Sequence, residues 1–311
     1  MRAVVTGGLG FVGRHLVQHL RACGDEVITL DHHGASPIDI LDSAAVATAI
    51  GAAQPQVVYH LAGWADIKAS WADPMAVLRV NAEGTLNVLK ACHTAGVARV
   101  LAVASADIYG VVTEAELPLT EESPLRPTSP YAASKAAAEA LAVQAFLGYG
   151  LDVIRVRPFN HIGPGQSEQF VAPALAARIA RAERDGVDTI AVGNLSARRD
   201  VTDVRDVVRA YRLLIEHGEA GAVYNVCSGR DVSIQEIVDQ LLALARRPIS
   251  LETDPSLFRP VDLPVLRGDA SLLKRATGWA PELSLAQTLT DLLDDMRSRV
   301  RTEMTPQQER S

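Results

Sequence analysis

Tyr131 and Lys135 stand four residues apart in Ser129-Pro130-Tyr131-Ala132-Ala133-Ser134-Lys135, at the head of an Ala-rich run that reaches about Gly148. Pro130 suits the first turn of a helix, where its missing N–H is not needed, and alanine is the best helix former. The run therefore predicts a helix over 131–148 that carries both side chains on one face, with origins roughly 6 Å apart. A nearby ammonium favours phenolate, so the spacing predicts a Tyr131 pKa below its ordinary value. Such a phenol can give or take a proton at a sugar hydroxyl or carbonyl. A tyrosine and a lysine at this spacing also occur on ordinary surface helices, so the rest of the chain has to decide between the two.

The elements that would position such a pair begin at the first residues. Arg2-Ala3-Val4-Val5-Thr6 reads as a short buried parallel strand. Gly7-Gly8-Leu9-Gly10-Phe11-Val12-Gly13 follows at once, and Leu16, Val17 and Leu20 then continue with helical periodicity. Gly7, Gly10 and Gly13 permit a tight turn and close approach of backbone to a pyrophosphate, which the helix N-terminus attracts. In the order strand, turn, helix, this spacing predicts dinucleotide binding. Glu26-Val27-Ile28-Thr29-Leu30-Asp31 is the second strand. Asp31 falls about twenty residues after the glycines, where a carboxylate bonds the adenosine ribose hydroxyls. A carboxylate there repels a 2′-phosphate, and the neighbouring His32 and His33 are not the arginines that would welcome one. NAD(H) is therefore favoured, with NADP(H) as the alternative.

Asp39-Ile40-Leu41-Asp42 is expected to end a further short strand, with a helix opening at Ser43. The stretch 56–63 reads as a buried strand closing on Ala62 and Gly63, whose small size leaves room for a ligand at the strand's carboxyl end. A helix is expected over 81–95 and a strand over 98–105, ending on Ser105, whose hydroxyl can bond the oxygen that Tyr131 serves. A strand over 151–157 then turns off the sheet through Pro158-Phe159-Asn160-His161. This alternation predicts an α/β fold with a Rossmann-type doubly wound parallel sheet. Past Pro158 the pattern loosens into a loop at 163–166, a helix at 170–184 and a returning strand Val223-Tyr224-Asn225-Val226. This half carries arginines at loop positions, as a pyrophosphate-linked substrate needs. The expected organisation is a dinucleotide-binding unit over 1–158 with a returning segment near 200–227, a smaller C-terminal α/β substrate unit over 159–301, and a disordered tail over 302–311.

Composition narrows the function classes. The 311 residues are 48% hydrophobic and 22% charged, ordinary for a globular enzyme. The net charge of -7, with no long basic run, argues against nucleic-acid and anionic-membrane partners. Cys23, Cys92 and Cys227 are widely separated and lack metal-ligand spacing, so they predict buried thiols in a reducing compartment and no metal site. No apolar run reaches membrane-spanning length. The first residues already read as a strand rather than a leader, so the expected location is the cytoplasm.

Taken together, Thr6-Gly7-Gly8-Leu9-Gly10-Phe11-Val12-Gly13, Asp39-Ile40, His60-Leu61-Ala62-Gly63, Asn81, Ser105 and Tyr131…Lys135 resemble the extended short-chain dehydrogenase/reductases of the nucleotide-sugar epimerase/dehydratase family, over nearly the whole chain. Within that family, the stretches 157–166, 193–200 and 259–266 are most similar to the GDP-4-dehydro-6-deoxy-D-mannose reductases, with the GDP-mannose 4,6-dehydratases next. The resemblance implies roles. Gly7, Gly10, Phe11, Val12, Gly13 and Asp31 would hold the cofactor, Asp39 and Ile40 would meet its adenine, and Leu61, Ala62, Gly63, Asn81 and Pro158 would line its path. Lys135 would bond the nicotinamide ribose, while Ser105 and Tyr131 hold the reacting oxygen. Asn160 would touch the substrate, Val171 and Leu195 would flank its base, and Arg199 and Arg259 would meet its diphosphate. Helices 81–95 and 131–148 would build a four-helix homodimer interface.

Two residues depart from that pattern. Asp107 stands where these enzymes usually have glutamate, which weakens a dehydratase reading, and Trp64 follows Gly63 where a sugar pocket would begin. The implied activity is NAD(P)H-dependent reduction of a GDP-linked 4-keto-6-deoxy-hexose, with Tyr131 as proton donor. The alternatives are a nucleotide-sugar 4-epimerase or 4,6-dehydratase that recycles NAD+, and a non-catalytic NAD-binding regulatory protein. The intact Ser105, Tyr131 and Lys135 speak against the last.

Overall fold

The computed structural model describes residues 1–258 and 264–303. The β-branched runs form strands β1 (Arg2–Thr6), β2 (Glu26–Leu30), β3 (Val57–His60), β4 (Arg99–Val103) and β5 (Val153–Pro158). After Pro158 come β6 (Asn160–Ile162), β7 (Thr189–Val192) and β8 (Arg198–Asp203). The chain then returns as β9 (Val223–Val226) and leaves again through β10 (Asp231–Ser233), β11 (Ser250–Thr253) and β12 (Val265–Leu266). The main sheet has six strands in the order β2-β1-β3-β4-β5-β9, with every pair parallel. Strand order reverses between β1 and β3, which opens a crevice at their carboxyl ends. A smaller sheet runs β10-β8-β12, with β6 also paired to β8, and β7 pairs with β11.

The helices are α1 (Phe11–Ala22), α2 (Ser43–Ala53), α3 (Ile67–Ser70), α4 (Pro74–Leu78), α5 (Gly84–Thr94), α6 (Pro130–Tyr149), α7 (Val171–Asp185), α8 (Val204–His217), α9 (Ile234–Ala243), α10 (Ser271–Thr277) and α11 (Leu285–Thr302). Side-chain alternation along the strands decides which helices cover which face. Val5 and Tyr59 pack with Leu16 and Leu20 of α1 and Val207, Tyr211 and Leu214 of α8. Val4 and Val58, one residue earlier, face Val46 and Ile50 of α2, Val88 and Leu89 of α5, and Ala142 and Ala145 of α6. A second core joins α7, α9 and α11 through Leu175, Ile179, Val238, Leu241, Leu289 and Leu293.

Four expectations need correction. Cys23 is exposed at the end of α1, whereas Cys92 and Cys227 are buried as expected. Residues 39–42 form no strand. The Asp39 carboxylate accepts the Leu41 N–H at 2.9 Å, and the Asp42 carboxylate caps α2 through Ala44 and Ala45 at 3.1 and 2.9 Å. Short acidic side chains that bond nearby backbone compete with a sheet ladder, so β2 is left as the sheet edge. Arg199 lies not in a loop but in β8, in register with Val232 of β10 and Leu266 of β12. The polar run Arg198–Asp203 hides a strand whose buried Asp200 is satisfied by the N–H groups of Ser228, Gly229 and Gly268. The tail starts later than expected. Thr302 closes α11, and Glu303 pairs with Arg181 and Arg184 at 2.9 and 3.6 Å. The rest of that expectation, residues 304–311, lies outside the described residues, as does the expectation for Arg259.

Candidate active site

The glycine turn between β1 and α1 is built from close backbone contacts. Gly7 has φ +69, and a Cβ there would lie 2.8 Å from the Ala62 nitrogen. A Cβ on Gly13 would lie 2.1 Å from the Gly7 carbonyl oxygen. The turn is fixed by Gly7 N–H to Leu30 O at 2.8 Å and Gly10 N–H to Gly7 O at 3.1 Å. Gly10 caps α1 with no side-chain hydrogen bond, so the first-turn amides, including those of Phe11 and Val12, have no side-chain acceptor. Uncapped amides at a helix N-terminus suit phosphate oxygens. These residues fit the pyrophosphate of a dinucleotide, and Ala62 and Gly63 pass beside them.

Asp31 does more than the sequence assigned to it. One carboxylate oxygen accepts the Leu9 N–H at 2.9 Å and the other accepts the His33 N–H at 3.1 Å. Its side chain is only 5% exposed, so it braces the glycine turn from the end of β2. Ile40 packs against α5, where a Cβ on Gly84 would come within 2.5 Å of its Cδ1. Asp39 is exposed beside it.

The reacting side chains meet at the carboxyl end of β4. Ser105 caps the short turn Ala106–Tyr109 by accepting the Asp107 N–H at 3.2 Å, and its hydroxyl donates to the Asp107 carboxylate at 3.4 Å. The Tyr131 phenol is buried, with the Ser105 hydroxyl close enough to bear on its ionisation. Lys135 Nζ donates to the Val103 carbonyl at 3.0 Å, and a Cβ on Gly63 would lie 3.4 Å from that nitrogen. Ser105, Tyr131, Lys135 and Gly63 are thus brought to one place, as expected. The electrostatics run the other way from the expectation for Tyr131. Burial pushes the phenol above its ordinary pKa, the Asp107 charge adds to the rise, and the Ser105 hydroxyl only partly opposes it. Burial also lowers Lys135, to about 8. Spacing along a helix reveals the neighbour but not the desolvation, and here desolvation wins.

Asn81 acts one layer behind. It sits in a π turn, Arg79–Glu83, between α4 and α5. Its Oδ1 accepts the Trp64 N–H at 2.7 Å, and its Nδ2 donates to the Trp64 carbonyl at 3.2 Å and to the Ser134 hydroxyl at 2.8 Å. One side chain therefore pins the turn after β3 to α6. His60 completes this layer. Thr85 gives its hydroxyl proton to the Asn81 carbonyl at 2.6 Å, so His60 Nε2–H donates to Thr85 at 2.9 Å and Nδ1 accepts from Thr6 at 2.8 Å. Burial holds this imidazole neutral, with its pKa down to about 3. The tautomer follows from the network.

Sequence reasoning missed a buried ion cluster under the site. Arg157 Nη2 and Nε donate to Glu139 at 2.6 and 2.9 Å, while Nη1 donates to the Tyr109 hydroxyl and the Glu121 carbonyl, each at 2.9 Å. The Tyr109 hydroxyl donates on to Asn225 Oδ1 at 2.7 Å. Glu139 is four residues beyond Lys135, so its place on the Tyr131–Lys135 face was readable; its partners, far away in sequence, were not. In the second half, Asn160 opens β6 and is exposed, Val171 begins α7 at 41% exposure, and Leu195 is partly buried against the second core. Pro158 is buried at the end of β5. Arg199 Nη1 donates to the Arg198 carbonyl at 2.8 Å.

Comparison with known proteins places this geometry. The family model for GDP-mannose 4,6-dehydratase matches residues 4–292. The GDP-6-deoxy-D-mannose reductase of Pseudomonas aeruginosa is 40% identical over 97% of this chain and 99% of its own length. The structure of RMD from Pseudomonas aeruginosa complexed with NADPH superposes with a TM-score of 0.88 at 38% identity, covering 96% of this chain and all of that one (100%). The Thermus thermophilus UDP-glucose 4-epimerase with NAD gives a TM-score of 0.86 at 31% identity, covering 96% and 99%. With its glycine turn and its Ser105, Tyr131 and Lys135 in one crevice, the chain belongs to the GDP-mannose 4,6-dehydratase family of extended short-chain dehydrogenase/reductases, a family of NAD(P)-dependent enzymes.

Proposed function

We propose that this protein reduces a GDP-linked 4-keto-6-deoxy-hexose of the GDP-4-dehydro-6-deoxy-D-mannose type, with NAD(P)H as the reductant. The observation that carries the reading is the state of Tyr131: a buried phenol held protonated, beside Ser105 and one helical turn from Lys135. A resident proton is what a reductase needs, because the sugar oxygen must receive one as hydride arrives at C4. Reduced nicotinamide, when bound, supplies that hydride. Ser105 and Tyr131 hold the C4 oxygen, and Tyr131 Oη releases its proton to it as negative charge builds. The Lys135 ammonium, whose nearest helical carboxylate Glu139 is committed to Arg157, then stabilises the phenolate left behind. Asp107, one methylene shorter than the glutamate usual at this position, is poorly suited to the second proton transfer that a dehydration would require.

The cofactor unit in this reading spans 1–158 with the returning segment near 200–227, and 159–301 supplies the substrate side. Asn160, Val171, Leu195 and Arg199 would line that side, with Arg199 directed to the diphosphate. We further infer a cytoplasmic homodimer. No helix among the described residues is long and apolar enough to cross a membrane, and Met75 of α4 and Leu147 of α6 are 63% and 74% exposed. Size-exclusion chromatography with light scattering checks the dimer. The activity is tested by incubation with GDP-4-dehydro-6-deoxy-D-mannose and NADH. One NADH consumed per product supports the reductase. Conversion of a nucleotide sugar with no net NADH change would establish an epimerase or dehydratase instead, and dinucleotide binding with no turnover on any nucleotide sugar would establish a non-catalytic protein.

A further inference from the structure

The loop 163–166 stands between the two halves of the molecule and is held from both. On the cofactor side, the ring of Phe11, at the start of α1, stacks on His161 of β6 with centroids 6.1 Å apart and planes 8° apart. One turn further along α1, His15 meets the Phe11 ring edge-on at 5.6 Å, and its Nε2–H donates to the Pro164 carbonyl at 2.7 Å. On the other side, α11 reaches the same loop. Asp295 accepts the Gly165 N–H at 2.9 Å, and Arg299 donates to the Gln166 carbonyl at 3.0 Å. Asp295 and Arg299 pair with each other at 2.7 Å, so this anchor is braced within α11 itself. Gly165 has φ +92, and a Cβ there would lie within 3.9 Å of Phe11, His15 and Arg299 alike. Gln166 ties the loop back to β6 by donating to the His161 carbonyl at 3.1 Å.

We propose that His15 is a positioning residue that couples the two binding events: its bond to Pro164, backed by the Phe11–His161 stack, lets a bound dinucleotide set Asn160 for the nucleotide sugar. The inference rests on the reading above and deepens it by joining its two sites. The first-turn amides of α1 have no side-chain acceptor, so pyrophosphate oxygens that fill them fix Phe11 and the turn behind it. His15 lies on that turn and passes the constraint to Pro164. Phe11 passes it to His161, the neighbour of Asn160 in β6. Among the described residues, that three-residue strand pairs with β8 alone, so its placement leans on these side-chain contacts. A ligand that has already ordered the loop spares the next ligand that cost, which makes binding cooperative. Such coupling is reciprocal, so each ligand tightens the other by the same factor.

The test measures GDP dissociation constants by calorimetry with and without saturating NADH, on the parent protein, on His15→Leu and on His15→Gln. Coupling between sites is typically worth about fivefold or more, so NADH should tighten GDP binding by at least about that factor in the parent. Leucine fills the space but carries no N–H, so His15→Leu should abolish the effect while each ligand alone binds as it does to the parent. Glutamine restores an Nε2–H donor and should restore the coupling, which a purely packing role for His15 would not require. In turnover at saturating NADH, His15→Leu should raise KM for the nucleotide sugar by the factor lost and leave kcat unchanged. A His15→Leu variant that keeps the coupling, or a His15→Gln variant that lacks it, overturns the proposal. A parent that binds NADH and GDP independently sinks this inference alone, whereas a parent that binds NADH and no GDP sinks the nucleotide-sugar reading along with it.

Discussion

Glu139→Gln tests the buried ion cluster that lies behind the catalytic face of α6. In the parent, the Glu139 carboxylate accepts two N–H groups of Arg157 at 2.6 and 2.9 Å, and Arg155 approaches at 3.4 Å. Both Glu139 and Arg157 side chains are 5% exposed. The amide keeps one acceptor but turns an NH2 group toward a guanidinium, leaving the Arg157 charge buried among neutral acceptors alone, that amide oxygen, the Tyr109 hydroxyl and the Glu121 carbonyl. Breaking one side of a buried pair costs about 3–5 kcal/mol, and the retained amide oxygen places this variant near 3 kcal/mol in round terms. Urea unfolding at neutral pH measures it. The effect should also reach catalysis, because Glu139 is one turn from Lys135 and two from Tyr131: kcat should fall while KM for the nucleotide sugar holds. The double variant Glu139→Leu/Arg157→Met separates the two effects. Apolar replacement of a whole buried pair is often neutral or stabilising, so stability should recover while kcat does not. A single variant destabilised by less than about 1 kcal/mol would refute the account of the cluster, and a double variant with restored kcat would show that the pair does not position the catalytic face.

Three further outcomes are expected. Tyr131→Phe should lower turnover by about a hundred- to ten-thousandfold while leaving the fold and NADH binding unchanged; retention of most activity, read by NADH absorbance, would assign the proton to another donor such as Asp107. The Lys135 ammonium is present below about pH 8 and lost above it, so kcat should fall as pH rises through that value. Lys135→Arg, which keeps its charge throughout, should lose that alkaline limb, and a limb that persists unchanged would assign it to another group. Arg199→Ala should weaken GDP binding by about 1.5–3 kcal/mol, the size of a charged hydrogen bond, with NADH affinity unchanged; equal GDP affinity in parent and variant by calorimetry would remove Arg199 from the diphosphate site.

What could be read from the sequence was local. The glycine turn follows from Gly7, Gly10 and Gly13 between a β-branched run and a helical one, and Tyr131 and Lys135 share a face because helix geometry requires it. What could not be read depends on partners distant in the chain. Asp31 looked like a ribose ligand, and its bond to Leu9, which makes it a brace, crosses 22 residues. Arg157 looked like the end of a strand, and its link to Glu121 crosses 36 residues. Arg198–Asp203 read as loop because its fully buried carboxylate, Asp200, is satisfied by residues far ahead, Ser228, Gly229 and Gly268. Asn81 was identified, but as a cofactor contact rather than as the clamp between Trp64 and Ser134. The direction of the Tyr131 shift was misread because burial cannot be seen in i, i+4 spacing.

The late return of β9 bears on how the protein is made. β5 ends at Pro158, yet its second neighbour in the sheet, Val223–Val226, arrives only after β8 and α8 have been laid down. The same excursion delivers Val207, Tyr211 and Leu214, which cover one face of the sheet. A ribosome that has released only the first 160 or so residues has therefore released strands with an apolar face that α1 covers only in part and an open edge, the features that template aggregation. Expression of the N-terminal half alone should yield inclusion bodies, whereas a fragment carried through α8 and β9 has all six strands of its sheet and the helix that covers them.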